Sequence, residues 1–130
     1  MPSFLTPLRN GDPRSLVLRN QRTGRVVATE LLPAFDSETR RTGLLKHHSL
    51  PEGTAMLIAP TNAIHTFFMK FAIDVAFVRR DGHIVKIRAA MPAWRMSAAW
   101  GGYAVVEMAA GSFERAGTVA GDRLAIESAT

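Results

Sequence analysis

The side chains with chemical potential in this sequence gather in and around one apolar stretch, Ile64 to Val78, which holds His65, Thr66, Lys70 and Asp74. An imidazole in such a setting can act as a general base, a proton donor or a metal ligand. Coupled to Asp74 or to Glu107, it would form the acid–base pair of a small cofactor-free hydrolase, lyase or isomerase. The plainer alternative is a partly buried histidine whose nitrogens bond backbone carbonyls or a neighbouring hydroxyl. Lys70 and Asp74 can pair if the chain turns between them. On an extended strand, at ~3.3 Å per residue, they stand about 13 Å apart and the lysine is solvated.

A second group lies downstream. Trp94 and Arg95 follow Pro92 in a loop, where indole offers a flat apolar surface and guanidinium a bidentate fork. Together they could wall a site for a planar or anionic ligand, or the tryptophan could fold back and cap the open end of a sandwich. His65, Thr66, Lys70, Asp74, Trp94 and Arg95 therefore form the expected ligand-binding set. Glu107 interrupts an apolar run and reads either as an acid–base group or as a residue on the solvent side of an alternating strand. Asp122, after Gly121, reads as a turn residue bonding local amides.

Whole classes of chemistry are excluded. The chain has no cysteine, which removes disulfides, thiolate nucleophiles, iron–sulfur clusters and cysteine-based zinc sites. No His-x-His or His-Glu-x-x-His pattern supports a metal, and the adjacent His47 and His48 are a weak substitute. The glycines do not fall in a phosphate loop or dinucleotide fingerprint, and Ser49 and Ser97 lack a nucleophile-elbow context. The expectation is no metal and no cofactor.

The elements that would position these residues are mostly strands. Residues 1–14 show no period and read as an irregular arm, ahead of one β-rich domain over residues 15–130. Ser15–Arg19 and Arg25–Leu32 are β-prone and flank a turn from Asn20 to Gly24, which predicts a hairpin. Ser37–Leu45 suits a short helix with a serine N-cap, and His47–Gly53 a loop. Ala55–Ala59 is a compact apolar run closed by Pro60, suited to a buried strand.

Read as extended chain, residues 64–78 place His65, Phe67, Met69, Phe71, Ile73, Val75 and Phe77 on one face, with a break expected near Phe71 and Ala72 because the run is too long for one strand. Asp81-Gly82, between Ile73–Val78 and His83–Arg88, predicts a second hairpin. Met91–Gly102 reads as a long irregular connection. Tyr103–Ala109 resumes as a strand with Ala104, Val106 and Met108 on one face and Val105 and Glu107 on the other. Ser112–Ala116 suits one helical turn capped by Ser112, and Arg123–Glu127 a final strand. Several short strands with one or two short helices predict a mainly β fold, a sandwich of jelly-roll type or a barrel.

The ordered series Arg41-Thr42-Gly43-Leu44-Leu45, Ile64 to Asp74, Asp81-Gly82, Pro92-Ala93-Trp94-Arg95, Val106-Glu107, Ala110-Gly111 and Gly121-Asp122 resembles the domain-of-unknown-function family 192, from about Thr29 to Glu127. The resemblance implies a jelly-roll-type β-sandwich with a short helix near residues 38–46 and no established activity. Ala72 departs from the family, which usually has proline there, and this puts a rigid turn before Ile73 in doubt.

Net charge is +5, but the arginines are scattered without a basic run, which argues against a nucleic-acid partner. No stretch approaches the ~20 apolar residues of a membrane span, and no leader is visible, so a cytoplasmic location and no membrane association are expected. Two functions remain. The leading one is a binding module presenting residues 65–70, Trp94 and Arg95 to a small polar or anionic ligand or a protein partner; the other is the His65-based enzyme.

Overall fold

The computed structural model of the chain describes residues 2–36, 39 and 50–129. It is mainly β and sandwich-like. In chain order the described elements are α1 (Thr6–Asn10), a 3-10 turn (Pro13–Ser15), β1 (Leu16–Asn20), β2 (Val26–Ala28), β3 (Glu30–Ala34), β4 (Thr54–Ile58), β5 (Ala63–His65), β6 (Ile73–Val78), β7 (Ile84–Met91), β8 (Met96–Ala98), β9 (Ala104–Ala109), α2 (Ser112–Arg115) and β10 (Leu124–Ser128). The strands form a three-stranded sheet in the order β10-β1-β2, a five-stranded sheet in the order β3-β4-β9-β6-β7, and a ribbon of β5 with β8. Apart from Thr39, the short helix expected over Ser37–Leu45 lies outside the described residues, as do His47 and His48.

The central strands β4 and β6 are buried along their whole length, because both faces of the five-stranded sheet are covered. On one face Leu57, Ala76, Val78, Val106 and Met108 pack against Leu18, Ala28, Leu124 and Ile126 of the three-stranded sheet. On the other, Met56, Ile58, Ile73, Val75, Phe77 and Val105 pack with Met69 and Ala99, and with the half-buried Ile64 and Phe71, which belong to the ribbon and its connections. Alternation along β6 and β9 assigns each residue to one face or the other.

Several sequence expectations meet the structure directly. The hairpin of β1 and β2 forms, with Leu18 opposite Ala28, but its second strand ends at Ala28 and the chain continues as β3 in the other sheet, parallel to β4. Arg25–Leu32 is thus divided between two sheets. The β6–β7 hairpin forms around Gly82. Its φ is +98 and a Cβ there would collide with the Leu124 carbonyl oxygen, so the turn requires glycine on two counts.

Three expectations are corrected. Residues 1–14 are not wholly irregular: Thr6–Asn10 form α1, with Pro7 in its first turn, and Leu5 and Leu8 are buried in the core. The break expected near Phe71 and Ala72 is present but much wider, since extended structure stops at His65 and resumes only at Ile73. Met91–Gly102 is not a plain connection, because it contains β8, which pairs with β5 through His65–Met96, Ile64–Ser97 and Ala63–Ala98. Neither partner has a clear period of its own over three residues, and the ribbon exists only through their pairing.

Candidate functional site

The turn after β5 and the turn before β8 are fastened together by one residue. Thr66 is fully buried. Its hydroxyl donates to the Pro92 carbonyl at 2.6 Å and accepts from the Arg95 N–H at 2.9 Å. Its own N–H donates to the Arg95 carbonyl at 2.8 Å, while its carbonyl accepts from Trp94 N–H at 3.0 Å and Met69 N–H at 3.2 Å. Every polar group of Thr66 is thereby used in holding the two turns in register.

What the turns present is aromatic. The His65 and Phe67 rings stack at 4.9 Å, Phe67 and Trp94 at 5.8 Å, and Phe68 meets Trp94 edge-on at 4.7 Å. Phe68 (φ +67) and Trp94 (φ +64) both adopt the left-handed region, which costs a large side chain on the order of 1–3 kcal/mol and persists only where surrounding structure enforces it. Here the Thr66 bonds supply that constraint. The result is outward display: Phe68 is 69% exposed, Trp94 57% and, next to His65 across the ribbon, Met96 70%.

The charge around this surface has one sign. Lys70 and Arg95 are exposed, and among the described residues neither forms an ion pair with a carboxylate. The Arg95 guanidinium makes only long contacts, 3.4 Å to the Ala93 and Trp94 carbonyls. No aspartate or glutamate occurs in residues 53–73 or 82–106. His65 is exposed and its Nδ1 accepts from Phe67 N–H at 3.3 Å.

The remaining expected site residues lie elsewhere. Asp74 is buried on the side of β6 away from Ile73 and Val75, and its carboxylate accepts from the N–H groups of Ala90 at 2.8 Å, Gly111 at 3.1 Å and Phe113 at 3.1 Å. It holds the bulge of β7, where Ala90 has φ +46, and it supplies the cap of α2 that the sequence assigned to Ser112. Asp122 is likewise structural. It accepts from Asn20 Nδ2 at 2.8 Å and Val119 N–H at 2.9 Å and pairs with Arg22, whose guanidinium holds its carboxyl well below the usual carboxylate range.

Glu107 does not face solvent. Cross-strand register places it in a row Leu32–Met56–Glu107–Val75–Arg88 on the second face of the central sheet. It is 3% exposed, and desolvation pushes its carboxyl up to about 8. Among the described residues nothing hydrogen-bonds it. The alternation of β9 is as the sequence indicated, and that face belongs to the layer packed with Leu50, Met69, Ala99, Ile64 and Phe71.

The structure therefore brings together His65, Thr66, Trp94 and Arg95. It separates them from Asp74, and Asp74 and Glu107 lie on opposite faces of the sheet. No His65–carboxylate pair is present among the described residues. Sequence reasoning missed Phe67, Phe68 and Met96 as parts of the surface, because reading the segment as strand sent Phe67 to the core face. Among the described residues no group of three or more histidine, aspartate or glutamate side chains is placed to hold a metal, and no described helix is long and apolar enough to cross a membrane.

Comparison with known proteins adds the following. The sequence profile of domain-of-unknown-function family 192, described as an uncharacterized ACR, matches residues 18–126. No curated protein matches the chain. Among solved structures, it is similar to a protein from Sinorhizobium meliloti described as a candidate transcription regulator, with a TM-score of 0.74 and 23% identity over 88% of this chain and 92% of that one. It is also similar to a protein of unknown function from Novosphingobium aromaticivorans, with a TM-score of 0.72 and 21% identity over 85% of this chain and 82% of that one. At these identities the likeness shows a shared fold.

Proposed function

This chain belongs to domain-of-unknown-function family 192, and on that premise we propose that it is a non-enzymatic binding module whose recognition surface is the pair of turns at residues 65–68 and 94–95. The ligand is a small polar or anionic molecule with an apolar or planar part. The observation that carries this reading is the exposed display of Phe68 and Trp94 at positive φ beside two cations that pair with no carboxylate among the described residues. Strain kept in exposed aromatic residues contributes nothing to packing, and preorganised rings lower the entropic cost of binding. Lys70 and Arg95 supply the charge preference, and Arg95 has the fork geometry for a carboxylate or phosphate.

The acid–base alternative lacks its couple, because Asp74 spends its carboxylate on three backbone amides. A nucleic-acid reading, which the description of the Sinorhizobium protein would suggest, has against it that Arg14, Arg19, Arg22 and Arg79 are already paired with acidic residues.

The test is a thermal-shift and fluorescence screen of small carboxylates and phosphates. The chain has two tryptophans, Trp94 and Trp100, so Trp100→Phe leaves Trp94 as the sole indole reporter. Binding that shifts Trp94 emission and disappears in His65→Ala/Arg95→Ala, with unfolding unchanged, is the expected result. A ligand that binds the double variant as tightly as the parent removes the site.

A further inference from the structure

A polar cavity that shares no lining residue with the aromatic turns is built by residues just before β2, residues just before β4, and α2. It has a volume of about 200 Å³ and is lined by Arg25, Glu52, Met108, Ser112 and Arg115 among others. Two arginines line it. The Arg25 Nη2 donates to the Arg115 carbonyl at 2.9 Å, and Arg115 Nη2 pairs with Glu52 Oε1 at 2.8 Å. Arg25 has no carboxylate partner among the described residues.

Both arginines are seated against glycines. A Cβ on Gly111 would strike Arg115 Nη1, and a Cβ on Gly117 would stand 3.1 Å from Arg25 Nη1. The two residues flanking α2 thus leave room for flat cationic groups to lie close to the backbone. A separate observation points to a missing partner: Ser112 is 8% exposed, lines the same cavity, and its Oγ has no hydrogen-bond partner. A buried hydroxyl without a partner costs on the order of 1–3 kcal/mol, a cost that a ligand oxygen would relieve once the Ser112 side chain turns its Oγ toward the cavity. The amides at the start of α2 are not part of this argument, since Asp74 already occupies those of Gly111 and Phe113.

Among the described residues lining the cavity, Glu52 alone opposes an anion. Its side chain is 75% exposed, so its pair with Arg115 is a surface pair of little net strength and it can swing away into water. We propose that this cavity binds a phosphate-type dianion, with Arg25 and Arg115 as its two cationic forks, Ser112 as a hydroxyl partner, and Glu52 as the resident counter-ion that the ligand displaces. Once Glu52 has swung away, the two guanidinium groups leave a charge of two positive units, which a dianion neutralises. The site is independent of the aromatic surface.

The experiment is a phosphorus NMR titration of the full chain with inorganic phosphate, and in parallel with glycerol 3-phosphate. The expected result is saturable line broadening at neutral pH, weakened about tenfold or more by Arg25→Gln or Arg115→Gln, as loss of one charged hydrogen bond implies. Glu52→Gln should tighten binding by about threefold, the scale of one surface pair, whereas damage to the fold could only weaken it. Tighter binding of glycerol 3-phosphate identifies a phosphorylated molecule as the ligand source, and equal binding identifies free phosphate. No saturable broadening, unchanged affinity in both arginine variants, or no tightening with Glu52→Gln overturns the proposal. Trp94→Ala should leave phosphate affinity unaltered.

Discussion

Replacing Glu107 by glutamine should remove a pH dependence of stability that this single buried carboxyl imposes. The sign follows from its position. In the unfolded chain the group titrates near its usual 4.5, and in the folded protein desolvation raises it to about 8. The folded state therefore holds the proton more tightly, so its stability is greatest below 4.5, falls as pH rises through the interval, and levels off above about 8.

Each pKa unit is worth about 1.4 kcal/mol, which makes the ceiling on the loss about 5 kcal/mol. In the cross-sheet row the flanking residues Met56 and Val75 cannot titrate. The charged group in that row, Arg88, sits two strands away, about 10 Å at normal strand spacing. Glutamine keeps the shape and cannot ionise. Urea unfolding of both proteins at pH 5, 7 and 9 isolates the effect, because all other titrations cancel in the difference between parent and variant. The variant should match the parent within about 1 kcal/mol at pH 5 and exceed it by at least about 2 kcal/mol at pH 9. A difference that does not change with pH would refute the placement of a desolvated carboxyl in that layer.

Two further outcomes follow from the geometry. Asp74→Ala leaves the N–H groups of Ala90, Gly111 and Phe113 without their acceptor; at about 1 kcal/mol or more for each, urea unfolding should show a loss above about 3 kcal/mol, and a loss under about 1 kcal/mol would contradict the clamp. Thr66→Val retains shape but removes the hydroxyl that both donates to Pro92 and accepts from Arg95; amide exchange at Arg95 should accelerate at least tenfold while exchange in β6 and β9 is unchanged, and uniform acceleration would show that Thr66 acts on the whole fold rather than on the turns.

Much of the framework was legible along the chain. Asp81-Gly82 announced its hairpin because few other residue pairs satisfy the backbone of a tight turn. The alternation of Ala104 to Ala109 assigned faces that the sheet obeys, since a period of two is a property of extended backbone itself. The β1–β2 hairpin was legible up to Ala28, but nothing local marks where a chain leaves one sheet for another. The ribbon was invisible for the same reason: Ala63-Ile64-His65 and Met96-Ser97-Ala98 are strands because each is the other's partner.

That ribbon decides the site. Its two end turns, locked by Thr66, convert Phe67 and Phe68 from supposed strand residues into a displayed aromatic surface, while Glu107, read as either an acid–base group or a solvent-side residue, is a buried acid. Asp74 shows the opposite case, a conspicuous polar residue in the most distinctive segment that is consumed by backbone amides from β7 and the start of α2. By itself the sequence determined the strand-forming segments, their inward and outward periods, two hairpins and the absence of cysteine chemistry, all of which depend on neighbours within a few residues. Only the tertiary structure decided which polar groups are spent and which stand free, because a hydrogen-bond partner or a covering layer can come from any distance along the chain.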